Sequence, residues 1–166
     1  MNNLQSLIWI FPLAITLHNI EEALWLPKWS QETKGFTKPV DKQEFHFALI
    51  CVTLLAYLAT FLYGLYDRPL WKYIYFGYMG AMIINAIFPH LIATIVLKKY
   101  APGVVTGVLL NLPSFGLLTA HAVHNGILSI GEIVLSTAIA AVILLTMLPL
   151  LFKAGLILIV RWPLEK

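Results

Sequence analysis

Apolar residues run almost without interruption through five stretches of the chain: Leu4 to Leu24, Phe45 to Tyr66, Trp71 to Leu97, Val104 to about Val123, and Ile130 to about Phe152. Each comes close to the roughly 20 residues that an α-helix needs to cross the hydrocarbon core of a bilayer. Between them lie short polar breaks. The Asp67-Arg68-Pro69 turn separates the second run from the third, Lys98 to Gly103 the third from the fourth, and Asn125-Gly126 the fourth from the fifth. Only Pro27 to Glu44 is a long connection, and its Trp29, lysines and prolines suit an interfacial segment. Short connections between successive apolar helices predict an all-α, polytopic up-down bundle of five transmembrane helices, with residues 1–166 as one domain. A further apolar remnant, Ala154 to Val160, could extend the fifth helix, lie along the interface or begin a sixth.

Composition supports a membrane protein. Of 166 residues, 60% are hydrophobic and 11% charged, and the mean hydropathy is +0.82, well above the usual 45–50% apolar content of soluble domains. With five spans, Lys28, Lys34, Lys38, Lys42, Lys98, Lys99, Lys153, Arg161 and Lys166 fall on one side and Arg68 and Lys72 on the other. Positive loops stay cytoplasmic, so the expected N-terminus is outside and the C-terminus inside. The first run lacks the basic n-region and small-residue cleavage site of a signal peptide, which predicts that it is kept as a helix. Cys51 stands alone, which excludes a disulfide within the chain, and it reads as a small core residue of the second span. Pro12, Pro89, Pro113 and Pro149 lie inside spans, where each frees a backbone carbonyl that neighbours must satisfy.

Against this background His18-Asn19-Ile20-Glu21-Glu22 stands out. Ionisable residues within a span are costly and mark functional sites by default. Spacings of three and four put His18, Glu21 and Glu22 on one side of the first helix. His46 starts the second helix in the same leaflet, and His90 and Asn85 bring the third helix to a similar depth. Imidazole with carboxylate is a ligand set for zinc or iron, and the positive ion would offset two buried carboxylates. The candidate metal ligands are therefore His18, Glu21, Glu22, His46 and His90. Glu21, Glu22 and Asn85 are the catalytic candidates, with a water at an open position and the second Glu as general base. The plainer alternative is a polar pair that fastens helices together, a contact worth only about 0.6–2 kcal/mol.

His121, His124, Asn125 and Glu132 form a second polar group, expected on the outer side and apart from the first, where solvated side chains explain them equally well. Tyr57, Tyr63, Tyr66, Tyr73, Tyr75 and Tyr78 resemble an aromatic belt, and Gly77, Gly80 and Ala81 a close-packing face. No phosphate-binding glycine motif or nucleophile elbow is present, so no nucleic acid or nucleotide partner is expected.

The motif His18-x-x-Glu21-Glu22, together with Asn85, Phe88-Pro89-His90 and Tyr100-Ala101-Pro102-Gly103-Val104-Val105-Thr106, resembles the bacterial HxxEE-motif family of small integral membrane proteins. The likeness spans the first four helices. It implies a shared membrane site that includes His18, Glu21, Glu22, Asn85 and His90, and a bacterial cytoplasmic membrane as the location. The zinc protease patterns His-Glu-x-x-His and His-x-x-Glu-His are not matched.

The leading expectation is a metal-dependent membrane enzyme, a hydrolase or oxidoreductase, acting on a lipid-like or apolar small molecule that reaches the site from the surrounding lipids. A metal-free version would use the carboxylates for acid/base isomerisation or cyclisation of lipids. Proton- or cation-coupled transport, completed by a homo-oligomer, is the competing class. A regulatory subunit that binds a partner helix is the third.

Overall fold

The computed structural model describes residues 6–33, 35, 36 and 38–160. Lys34, Arg161 and Lys166, three of the cations that set the expected orientation, lie outside the described residues, as do residues 1–5. Five long helices make up the described chain: α1 (Ile10–Glu32), α2 (Lys42–Leu65), α3 (Pro69–Leu97), α4 (Val104–His124) and α5 (Ile130–Gly155). A π-helical turn, Leu156–Val160, prolongs α5, so the C-terminal remnant extends the fifth helix.

Four of the five, α2 to α5, are long and apolar enough to cross a membrane, and the protein is an integral membrane protein. By length and composition four helices qualify as spans where five are expected, α1 being the one that does not. In α1 the residues His18, Asn19, Glu21 and Glu22 interrupt the apolar run. All four are buried within the bundle. The first connection is also shorter than expected, because α1 runs through Pro27 to Glu32 and α2 begins at Lys42, with Asp41 capping Gln43 and Glu44.

Two prolines of α1 show how the bundle tolerates them. Pro12 has no N–H for the Ile8 carbonyl, and the Tyr75 hydroxyl donates to that oxygen at 2.8 Å. Pro27 likewise frees the Ala23 carbonyl, which accepts from His46 Nε2 at 2.9 Å. Neighbouring helices thus supply what the proline removes. Tyr75 therefore belongs to the core, with Phe11 edge-on and Tyr63 stacked against it. Tyr78 is buried too and donates to Val52 O, so these two tyrosines leave the expected aromatic belt. Cys51 is half-buried on α2.

Gly77 and Gly80 do form a close-packing face. A Cβ on Gly77 would lie 2.6 Å from Ser136 O, and one on Gly80 would lie 2.0 Å from Thr137 Oγ1. They set how closely α3 approaches α5, a helix that buries only Ile133, Ser136 and Gly155.

Helix α3 breaks before Pro89. The residue preceding a proline is pushed out of the helical region, and Phe88 sits at φ −124°, ψ 98° inside a π-helical stretch, Ala86–Leu91. A second π-helical stretch, Gly107–Asn111, interrupts α4 beside it. There a Cβ on Gly107 would be 2.7 Å from Ala86 Cβ. The two wide turns bring α3 and α4 close to α1 at the level of His18.

Tyr75→Phe is expected to lower stability by about 1–3 kcal/mol, because it leaves the Ile8 carbonyl unpaired in an apolar interior. Gly77→Ala, which forces α5 away from α3, is expected to cost a similar amount, about 1–3 kcal/mol. Thermal unfolding of both variants in one detergent checks this; unchanged melting would refute the packing described.

Candidate functional site

Two helices, α1 and α3, deliver one buried cluster. His18 and Glu22, one turn apart on α1, face His90, which the break at Phe88-Pro89 turns into the bundle. Glu22 Oε1 lies 2.6 Å from His90 Nε2 and 3.3 Å from His18 Nε2. The two imidazoles meet edge to face with centroids 5.5 Å apart. His18 is fully buried, and Glu22 and His90 are 5% and 4% exposed. Among the described residues this is the group of histidines and acids able to hold a metal ion, with one ligand atom from each within 4.8 Å of the others.

Glu21 turns elsewhere. Its Oε1 accepts from Gly103 N at 2.8 Å, from Val105 N at 3.4 Å and from the Tyr100 hydroxyl in a short contact. Its Oε2 accepts from Thr106 N at 2.8 Å and Thr106 Oγ1 at 2.5 Å. The carboxylate therefore caps the N-terminus of α4, where unpaired N–H groups and the helix dipole favour an anion. Desolvation first, and then the hydrogen bond to Glu21, push the Tyr100 hydroxyl above its ordinary pKa, which keeps it a donor.

The hydrogen-bond chain fixes a tautomer. Backbone N–H groups can only donate, so Glu21 is the acceptor and the Thr106 hydroxyl spends its proton on it. His18 Nδ1, 3.1 Å from Thr106 Oγ1, must then be the donor. In a neutral imidazole that leaves Nε2 with a lone pair, and this atom has no aligned hydrogen-bond partner although it sits 3.3 Å from the Glu22 carboxylate. Two acceptors facing each other away from water call for a proton or a cation between them.

Gly103 keeps this place open. Its φ is +95°, which favours glycine. A Cβ there would lie 3.0 Å from His90 Nδ1, 3.1 Å from Glu22 Oε1 and 3.1 Å from His18 Cε1.

Beside the cluster is a chamber of about 320 Å³ between α1, α2, α3 and α5. Asn19, Glu22, Asn85 and His90 contribute its polar groups; Val52, Met82, Leu144 and Leu148 are among its apolar walls. Ile84, Phe88 and Leu145, which also line it, are exposed on the outer surface of the bundle, where lipid would lie.

Of the residues anticipated from the sequence, His18, Glu22 and His90 come together, and Asn85 joins them through the chamber. His46 does not: its Nε2 serves the Ala23 carbonyl freed by Pro27. His121 and His124 stay outside the cluster, Asn125 bonds His121 O, and Glu132 forms a capping box with Ser129 and accepts from Tyr73. Sequence reasoning missed Thr106, Tyr100 and Gly103 as parts of the site; their signal was the polar and glycine positions after helix three.

The match to a known family covers the stretch of chain that holds the cluster. Residues 9–118 match the family described as proteins of unknown function with the HXXEE motif, and the chain belongs to that family. It is also 52% identical, over 147 residues, to "Uncharacterized protein YrkK" of Bacillus subtilis (strain 168), an alignment covering 87% of this chain and 92% of that protein. No solved structure matches it.

Glu21→Gln turns an acceptor oxygen into a donor facing donors and is expected to destabilise the fold by about 2–4 kcal/mol, charge-assisted hydrogen bonds being worth about 1.5–3 kcal/mol. His46→Phe is expected to cost about 1–3 kcal/mol through the unpaired Ala23 carbonyl. Melting temperatures check both, and a Glu21→Gln protein as stable as wild type would refute the capping role.

Proposed function

We propose that the chain is a membrane-embedded, metal-dependent enzyme, a hydrolase or oxidoreductase, acting on an apolar or lipid-like substrate held in the chamber. One observation carries this reading: His18 Nε2, buried without a hydrogen-bond partner, lies 3.3 Å from the Glu22 carboxylate, with His90 Nε2 on the same oxygen. His18, Glu22 and His90 would hold the ion. Two imidazoles and one carboxylate suit zinc or iron and leave positions free, and such an ion would supply an activated water or a redox centre.

The fit can be tested against distances. Ligand atoms sharing a tetrahedral metal at about 2.0–2.1 Å lie roughly 3.3 Å apart. The His18–Glu22 separation of 3.3 Å matches, while the His90–Glu22 contact of 2.6 Å must open by about 0.7 Å to reach that tetrahedral separation. Glu21 acts through Thr106, holding the His18 tautomer as metal-bound histidines are commonly held by a partner on their other nitrogen. Asn85 stands at the chamber wall, available to a substrate polar group. The short His90–Glu22 contact favours a second reading, a metal-free acid/base site for lipid isomerisation or cyclisation.

In this reading α1 also crosses the bilayer, as a fifth span with its N-terminus outside. Its 23 residues reach about 35 Å at 1.5 Å each, and the bundle covers His18, Asn19, Glu21 and Glu22. A reporter fused to the C-terminus should be active in the cytoplasm; activity on the outer side would refute this orientation.

Elemental analysis of detergent-purified protein tests the metal. Wild type is expected to carry about one zinc or iron per chain, and His18→Ala, Glu22→Gln and His90→Ala to lose it. Thr106→Val is expected to bind about 10–100-fold more weakly, while His46→Phe retains the metal. A well-folded, metal-free wild type after growth with both metals would sink the metal reading and promote the acid/base one.

A further inference from the structure

One residue that lines the chamber, Asn19, carries a buried polar atom that the site described so far does not use. Asn19 is 5% exposed and lines the chamber with Glu22, Asn85 and His90. Its Nδ2 donates to Thr53 Oγ1 at 2.7 Å. Thr53 spends its own proton on Leu49 O at 2.8 Å, so its oxygen can only accept. The Asn19 amide is thereby locked with nitrogen toward Thr53 and cannot turn over. The atom left is Oδ1, buried and without a hydrogen-bond partner. A buried acceptor with no donor is disfavoured, and is satisfied by whatever brings one.

We infer that Asn19 positions the substrate head, and that the substrate is an apolar chain ending in a hydrogen-bond donor, a hydroxyl or amide N–H, bonded to Asn19 Oδ1 beside Glu22 and His90. The inference rests on the chamber being the substrate site. The apolar walls select the chain, and Asn19 selects the head: an ether with its oxygen at the same place on the same chain puts an acceptor against an acceptor. Sites built to bond a substrate hydroxyl reject analogues lacking it far more strongly than an apolar pocket rejects a missing methylene. Asn19 is a positioning residue here, distinct from the histidine and carboxylate cluster.

The test is a binding competition. Purified protein is exposed to an equimolar mixture of decanol and decyl methyl ether, and the bound fraction is read by native mass spectrometry. Wild type is expected to prefer the alcohol by about tenfold or more. Asn19→Leu should remove the preference. Thr53→Val, which leaves Asn19 in place but unlocks its amide, should reduce it sharply, so a folding failure of the first variant does not end the test. Equal binding of both probes to wild type overturns the inference, as when a fixed water satisfies Oδ1. So does a preference that survives in Asn19→Leu. Because the readout is binding and not metal content, a metal-free wild type that keeps an Asn19-dependent preference contradicts the metal reading alone. A metal-loaded wild type without the preference contradicts this inference alone.

Discussion

A carboxylate in the interior of a membrane protein must be surrounded by donors, and Glu21 finds five of them in one short stretch, Tyr100 to Thr106. That constraint organises the rest. To bring the N-terminus of α4 to the middle of α1, the loop after α3 must fold inward, and Ala101, Pro102 and Gly103 are buried accordingly. Once there, the loop sets Gly103 beside His18, Glu22 and His90 and places Thr106 under His18 Nδ1. The two adjacent glutamates thus divide the work: one is a structural anion at a helix end, the other a carboxylate between two imidazoles.

Proline shapes the same region. Pro89 drives Phe88 out of helical geometry and turns His90 inward, while Pro27 frees the Ala23 carbonyl and so engages His46. One proline supplies a member of the cluster and another removes a candidate from it. Breaks of this kind are tolerated in a bilayer only where protein covers the freed groups; α2 covers the carbonyl freed by Pro27, and the break at Pro89 lies where α1, α3 and α4 meet.

Much of this was legible in the sequence. The apolar runs gave α2 to α5 closely, since roughly 20 apolar residues between turn residues allow few other structures. His18, Glu22 and His90 were legible because ionisable groups at a shared depth have few places to go. The separation of Glu21 from Glu22 was not, because it depends on which donors the loop after α3 presents. Nor was the role of His46, which follows from a carbonyl left by a proline nineteen residues earlier on another helix. Tyr75 and Tyr78 were hidden for the same reason: as aromatic residues near a helix end they match an interfacial belt, and only the carbonyls of Ile8 and Val52 show why they are buried. Asn19 sat inside the motif in plain view, yet its meaning requires knowing that the Thr53 proton is already committed to Leu49.

The central claim is that Thr106, itself held by Glu21, fixes His18 with its proton on Nδ1 and so turns a lone pair toward Glu22. Nitrogen NMR of histidine-labelled protein stripped of metal by a chelator, before and after addition of zinc, tests it most directly. The account predicts that His18 Nδ1 carries its proton in both samples and that the Nε2 resonance shifts on addition of one equivalent of zinc. A His18 protonated on Nε2 alone, with Nδ1 bare and both resonances indifferent to zinc, would contradict it.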